Sequence, residues 1–358
     1  MSKNCVLITG GAGFIGCKLS SFLEDFGLPV VAVDNMHPQI HANKDRPEFL
    51  PSFVDLLVGN VCFAETWEEV LREWTPRVVV HLAAETGTGQ SLTEASRHSE
   101  TNVVGTTRML DALSSRGCLP DHILLSSSRA VYGEGAWRAQ DGAVVYPGIR
   151  KAADLERSLW GFKDSGGKDL EPLPQRAART TPNPTSVYGA TKLAQEHILS
   201  AWCAAMKVPL SILRFQNVYG PGQAPFNSYT GIINIFYRVA RSGAPIDVYE
   251  DGAIGRDFVF IDDVAQACRA ALENPPASTR VLDVGSGAVT TVLQAANIIA
   301  KANNAPEPVV SGKFRAGDVR WAVAYANDLR DDLGVTAKVP FVEGVTRLGH
   351  WLVAKGYA

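Results

Sequence analysis

No Cys-x-x-Cys pair occurs in the sequence. Its six cysteines, Cys5, Cys17, Cys62, Cys118, Cys203 and Cys268, are scattered over 358 residues without the spacing of a zinc site or redox motif. No metal centre or disulfide framework is therefore predicted, and the thiols are expected to behave as buried small hydrophobes. Long apolar runs are missing as well: no stretch approaches the 18 residues that a membrane helix needs. Nor is there an excess of basic charge. The 34 basic and 37 acidic side chains leave a net charge of −3, which excludes the electrostatic footprint of a nucleic-acid binder. Met1-Ser2-Lys3-Asn4 leads straight into an apolar strand without the layout of a secretion signal. A cytosolic protein with neither nucleic-acid nor membrane partners is expected.

What the sequence does contain is alternation. Apolar runs at 5–8, 30–33, 53–58, 77–82 and 122–126 read as strands, and amphipathic segments at 14–26, 65–73 and 94–113 read as helices. Strands apolar on both faces, alternating with helices, predict an α/β fold with a doubly wound parallel sheet of Rossmann type. The rhythm breaks over about 134–184, a segment rich in Gly, Pro, Arg and Asp that reads as an insertion. It resumes with a helix at 188–206 and a strand at 210–215. After Pro221, short strands (246–249, 257–260, 280–284) mix with helices at 262–273 and 292–303. Residues 1–220 are therefore expected to form a dinucleotide-binding domain. Residues 221–358 are expected to form mainly a smaller interleaved α/β substrate lobe, with some segments returning to the first domain.

The first strand runs into Thr9-Gly10-Gly11-Ala12-Gly13-Phe14-Ile15-Gly16, a G-x-x-G-x-x-G spacing that opens the first helix. Small residues there let the backbone turn tightly and bring a pyrophosphate to the positive helix N-terminus, so Gly10, Gly13, Phe14 and Ile15 are candidate cofactor contacts. Asp34 closes the second strand, where an acid accepts hydrogen bonds from ribose hydroxyls and repels a 2′-phosphate. NAD is thereby favoured over NADP, with Asn35 beside the acid; the other reading of Asp34 is an aspartate that begins a turn. Asn60 and Val61, after the third strand, are placed at the adenine.

Tyr188-Gly189-Ala190-Thr191-Lys192 sets a phenol and an ammonium four residues apart on one face of a predicted helix. An ordinary tyrosine needs a shift of about three units, on the order of 4 kcal/mol, to act as a base near neutrality. Lys192 and the positive ring of a bound nicotinamide are expected to supply it. Ser126-Ser127-Ser128 ends the fifth predicted strand at the carboxyl edge, where ligands of open α/β sheets bind. Ser126 is placed at the cofactor and Ser128 at the reacting oxygen, the alternative being a serine-rich turn that caps the strand. His81 reads as a satisfied residue at a strand end.

With these motifs in this order, the chain resembles the extended short-chain dehydrogenase/reductases of the nucleotide-sugar epimerase and dehydratase family. The resemblance continues through Arg214-Phe215-Gln216-Asn217-Val218-Tyr219-Gly220-Pro221 and Arg256-Asp257-Phe258-Val259-Phe260 to Gly317-Asp318-Val319-Arg320. It implies Tyr188 as catalytic base, Lys192 on the nicotinamide ribose and Ser128 on the substrate. It also implies Ala83, Ala84 and Asn102 along the NAD, Asn217 at the diphosphate or sugar, Arg256 and Arg315 on phosphate and Asp318 on the nucleoside ribose. A homodimer built on two helices per subunit is implied too. A guanidinium fork suits a phosphate whatever the family.

The dehydratases of this family place an Asp-Glu pair directly after the catalytic Ser or Thr, whereas Arg129-Ala130 stands here. Elimination is left without an acid, so a redox-neutral 4-epimerisation through a 4-keto sugar is expected. The segment Glu85-Thr86-Gly87-Thr88-Gly89-Gln90-Ser91 and the insertion resemble the branch that acts on dTDP-L-rhamnose, with Thr86 and Thr88 set to contact the sugar. A UDP-hexose 4-epimerase is the nearest rival, followed by a nucleotide-sugar reductase and a non-catalytic NAD sensor. The insertion, with Trp137 and Trp160, reads equally as a lid over the sugar or as a surface elaboration.

Overall fold

The computed structural model describes residues 2–41, 43–225, 231–315 and 317–357. Seven strands form one parallel sheet: β1 (Lys3–Thr9), β2 (Val30–Asp34), β3 (Asp55–Val58), β4 (Trp74–His81), β5 (His122–Ser128), β6 (Leu210–Phe215) and β7 (Thr279–Val284). Their order across the sheet is β7-β6-β5-β4-β1-β2-β3. Chain order thus reverses once, between β1 and β4, and the carboxyl ends of those two strands open a crevice there.

The pleat explains why nearly continuous apolar runs are needed. Along β1, Val6 and Ile8 point to one face with Leu19, Leu124 and Val264, while Cys5 and Leu7 point to the other with Trp67, Met109 and Leu199. Helices α1 (Phe14–Ser21) and α5 (Ile261–Glu273) cover the first face. The second is covered by α2 (Ala64–Glu73), α3 (95–115) and α4 (Val187–Met206). Each fully buried Leu or Ile contributes about 1.5–3 kcal/mol relative to exposure.

Several boundaries differ from the sequence reading. Helix α1 stops at Ser21 rather than residue 26: Phe22 N donates to Leu19 O, and Gly27 turns with φ of +84° before β2. Asp25, Gly27 and Pro29 give this stretch poor helix propensity, so Leu23 and Phe26 pack on the sheet from tight turns instead. The edge strand β3 begins at Asp55, not 53. Strand β4 begins at Trp74, three residues earlier than expected, and ends at His81.

After β6 the chain enters a smaller lobe whose own core joins Phe236, Phe258, Ile299 and Leu348. It returns to the main sheet through α5 and β7, which pairs with β6 from Thr279↔Leu210 to Val284↔Phe215. The insertion forms a three-stranded antiparallel sheet of two-residue strands around Trp137, which meets Phe162 edge-on at 5.0 Å. It is fastened to the lobe by buried charge. Arg150 pairs with Glu134 at 3.2 Å and with Glu250 at 2.8 Å, and donates to Asp318 O at 2.6 Å. Arg320 completes the cluster through Glu250, Asp251 and a backbone bond to Glu134.

Removing one partner of a buried ion pair leaves the other uncompensated, a loss of roughly 3–5 kcal/mol. Arg150→Met takes the guanidinium from Glu134 and leaves Glu250 with Arg320, so its urea unfolding midpoint is expected to fall, by no more than that amount. A midpoint equal to the parent's would show that the insertion is not anchored by this cluster.

Candidate active site

At the β1–β4 crevice lies a cavity of about 720 Å³ that runs from the glycine loop into the lobe. The loop shape is dictated by crowding. Gly10 has φ of +68°, and a Cβ there would sit 2.7 Å from Ala83 N; a Cβ on Gly16 would meet Gly11 Cα at 2.6 Å. Only glycine lets β1, the loop and the residues after β4 approach so closely. Gly13 then caps α1 and leaves its first backbone N–H groups facing the cavity end of the helix. Gly10, Gly13, Phe14 and Ile15 all line the cavity.

Asp34 is nearly buried at the end of β2. Its Oδ2 accepts from Ala12 N at 3.1 Å and its Oδ1 from Met36 N at 2.9 Å. The carboxylate therefore organises both its own turn and the glycine loop, and it still borders the cavity with Asn35. Asn60 and Val61 line the same end, where Asn60 Oδ1 accepts from Cys62 N at 2.9 Å. Ala83 and Ala84 form the wall after β4. This cradle, with no Cβ in its tight turn and an acid at the tip of β2, fits a dinucleotide with free ribose hydroxyls.

Asn102 departs from the sequence reading. It is fully buried and does not line the cavity. It sits in a widened turn, Glu100–Val104, inside α3. Its Oδ1 accepts from Glu85 N at 2.8 Å, and its Nδ2 donates to Glu85 O at 3.0 Å and to Thr191 Oγ1 at 2.9 Å. Asn102 thus ties the loop after β4 to α4 from behind the wall, one residue from Lys192.

Ser186 caps α4 by accepting Gly189 N, which aims the first turn at the crevice and places Tyr188 and Lys192 on its cavity face. Tyr188 is half-buried, with part of its surface on the cavity. Burial raises its pKa, opposed by a hydrogen bond with Ser128 and by the charge of Arg129. Lys192 is 2% exposed, and burial drives its ammonium down to about 7 against the pull of Glu196 one turn on. Glu196 is itself held by Arg214 at 2.6 Å and accepts from Ser127 Oγ. Ser128 borders the cavity while its Oγ accepts from Ala130 N at 3.1 Å, so it also caps the turn Arg129–Tyr132. Ser126 lines the cavity and donates to His81 O at 3.2 Å. His81 bonds Thr9 Oγ1 at 2.7 Å and Thr106 Oγ1 at 2.9 Å; burial, and then Lys192, push its pKa down to about 3 and keep it neutral.

Thr86 and Thr88 form the rim beyond β4, and Asn217, Arg256, Arg315 and Asp318 line the opposite wall. Arg256 is almost buried and donates to Gly255 O and Val319 O; burial, reinforced by Arg129, lowers its pKa to about 9. Arg315 lies 5.2 Å over the Tyr249 ring. The buried charge of Arg256, with the exposed guanidinium of Arg315 at the same cavity, suits a phosphate. The cavity also has an apolar wall, with Ile235, Phe236, Val239 and Ile246.

No residue of the insertion lines this cavity among the described residues. Trp137 is buried in the insertion, Trp160 lies 6.3 Å from Phe314 and Arg150 holds Asp318 O, so the insertion supports Phe314 and Asp318 from outside the cavity. Sequence reasoning missed that support because its partners are 16 to 186 residues apart. It also gave Arg129 no role, although an arginine in an otherwise small, polar strand end was a visible signal.

The sheet and its cavity define an NAD-dependent α/β enzyme. The chain matches the NAD dependent epimerase/dehydratase family over residues 6–148 and 165–285, and it belongs to that family. It is 53% identical over 347 residues to a dTDP-L-rhamnose 4-epimerase of Burkholderia thailandensis, covering 97% of this chain and 94% of that one. Among solved structures, the UDP-glucose 4-epimerase of Thermotoga maritima with UDP-glucose superposes with a TM-score of 0.78 at 27% identity, covering 98% of this chain and 99% of that one. The UDP-glucose 4-epimerase of Thermus thermophilus in complex with NAD gives 0.75 at 28%, covering 97% and 98%. The protein is an isomerase, an NAD-dependent nucleotide-sugar 4-epimerase.

The depressed Lys192 has a consequence for stability. In the ligand-free folded chain it sheds its proton near pH 7, whereas in the unfolded chain it holds it to about 10.5. Between these values the unfolded state binds more protons, so this residue's contribution makes stability rise as pH rises through the window and fall as pH falls back to 7. Denaturant titrations of the NAD-free protein at pH 7 and 9 should show that rise, and Lys192→Met should lack it.

Proposed function

We propose that the enzyme interconverts dTDP-L-rhamnose and dTDP-6-deoxy-L-talose by inverting the sugar at C4. The observation that carries this reading is the single cavity that joins the glycine loop to Tyr188 and Lys192 and then to Arg256 and Arg315, in a chain 53% identical to an enzyme of that name. Gly10, Gly13, Phe14, Ile15, Asp34, Asn35, Asn60, Val61, Ala83, Ala84 and Ser126 would hold the NAD, with Lys192 at its nicotinamide ribose. The chemistry that NAD supplies when bound is reversible hydride exchange with a sugar carbon.

The residues of this chain do the rest. Arg256 and Arg315 bind the diphosphate, Asp318 the nucleoside ribose and Asn217 the sugar side of the diphosphate. Thr86 and Thr88, with their small hydroxyl side chains, leave the sugar room to turn. Ser128 donates to the C4 oxygen and keeps it beside Tyr188. Tyr188, as phenolate, takes the proton of the C4 hydroxyl and returns it to the same oxygen once the keto sugar has presented its other face. With Arg129-Ala130 after Ser128, no carboxylic acid stands where elimination would need one.

The reading includes a cytosolic homodimer built on α3 and α4. Leu92, Val104 and Met206, exposed on or beside those helices, support such a face. The likeness to UDP-glucose 4-epimerases favours a second reading, in which a UDP-hexose is the substrate.

Proton NMR of the enzyme with dTDP-L-rhamnose and no added reductant should show a second dTDP-6-deoxyhexose growing to a stable ratio, with no net change in NADH absorbance. An unchanged spectrum from NAD-loaded protein would overturn the substrate, and UDP-glucose would then be the substrate to convert. Tyr188→Phe is expected to lower kcat by at least about 10²-fold, the lower end of a general base's contribution, while retaining NAD.

A further inference from the structure

Arg129 lines the cavity as a buried charge to which neither the sequence reading nor the mechanism above gives a positive task. Its position is fixed from three sides. Ser128 Oγ accepts Ala130 N and caps the turn that Arg129 opens. Three residues on, Tyr132 is fully buried, with its hydroxyl donating to Asp283 at 2.8 Å and accepting from Arg214 at 2.9 Å, so the turn is clamped to β6 and β7. Arg129 Nε then donates to Asn217 Oδ1 at 3.2 Å across the cavity. Asn217 in turn is held by its own N–H on Asp257 O at 3.0 Å. A guanidinium is planar, so fixing Nε fixes the direction of the other two nitrogens as well.

We propose that Arg129 is a positioning residue for proton transfer: its guanidinium, braced on Asn217, is the permanent positive charge that holds the Tyr188 phenol ready to ionise. This rests on the reading of Tyr188 as the base and on how the two turns pack: Arg129 and Tyr188 line the same cavity, and their neighbours Ala130 and Gly189 lie so close that a Cβ on Gly189 would come within 2.5 Å of Ala130 O. Arg129 is the charge that acts on the phenol; Arg129 in turn feels the carboxylates of Asp318 and Glu134, while Lys192 on α4, Arg256 on the strand Gly255–Arg256 and Asp318 line the same cavity. Glu134 is engaged by Arg150 and by Arg320 N, so it does not neutralise Arg129 alone. Arg256 is turned toward backbone carbonyls.

Lys192 is the obvious source of positive charge, but burial brings its ammonium to about 7, where half of it is neutral in the ligand-free pocket. A guanidinium starts far higher, so even lowered by burial it stays charged wherever the enzyme works. Ionisation breaks the Tyr188 O–H bond and releases its proton to solvent once, before the cycle begins. The phenolate formed beside Arg129 then accepts the sugar hydroxyl proton, and the same proton returns in the second half of the cycle, so no proton is gained or lost overall.

The test compares parent, Arg129→Lys and Arg129→Gln holoenzymes, with kcat for dTDP-L-rhamnose read by NMR from pH 6 to 10. Loss of the charge is expected to move the acid limb of kcat upward by about one unit in Arg129→Gln, a tenfold loss below the limb, with recovery at high pH. KM should change by less than about threefold, and Arg129→Lys should keep the parent profile. An unshifted limb with raised KM overturns the proposal and makes Arg129 a substrate anchor. An equal loss at every pH overturns it in favour of a structural role.

A parent enzyme that does not turn over dTDP-L-rhamnose defeats the substrate reading instead. The proposal is then read from the phenolate absorbance that disappears in Tyr188→Phe, which should titrate at higher pH in Arg129→Gln. If Arg129→Gln fails to fold, Asn217→Leu frees the guanidinium from its brace, and a smaller upward shift is expected; no shift overturns the proposal.

Discussion

A parallel sheet needs a crossover after every strand, and where the crossovers change side the carboxyl ends of two neighbouring strands part. The whole site hangs on that one parting, between β1 and β4. Gly10 backs so closely on Ala83 that no side chain fits between them. The glycine loop, the wall after β4 and the head of α1 are thus one rigid body rather than three loops. Asp34 fastens β2 to the same body through Ala12 N. The first turn of α4 and the turn after β5 then bring phenol, ammonium and serine hydroxyl to the rim of a frame that packing has already set.

Charge is handled by layers. Beneath Tyr188 and Lys192, Glu196 is pinned by Arg214, which also supports Tyr132 above Asp283; the group that tugs on Lys192 cannot drift away. On the lobe side, Glu134, Arg150, Glu250 and Arg320 pair with each other beside Asp318. Between the two layers, burial leaves the guanidinium groups of Arg129 and Arg256 under-compensated on the cavity wall. Both layers are paired, so the positive potential is confined to the cavity.

Much of this was legible because it is local. The Gly10–Gly16 spacing, the acid closing β2 and the four-residue interval from Tyr188 to Lys192 each encode geometry within a single turn or strand, and the cavity brings those residues together. Asn102 was legible as important but not in its place: a widened turn inside α3 sets it behind the wall, and periodicity does not register one extra residue per turn. The early end of α1 was hidden by Leu23 and Phe26, whose apolar spacing mimics a helix while their backbone folds as turns. The insertion's task was out of reach, since Arg150 finds Glu250 a hundred residues on and Asp318 further still. No local pattern announces such partners.

The edge strand β7 lies far along the chain, yet it completes the first half's sheet by pairing with β6, and α5 covers the same face as α1. During synthesis the ribosome must therefore release residue 284 before that sheet has its last strand. Until then β6 presents an open edge and the face of Leu213 and Phe215 lacks its cover. The nascent enzyme is thus obliged to fold late and nearly whole, and a fragment cut between the two halves would carry an unfinished sheet into solution.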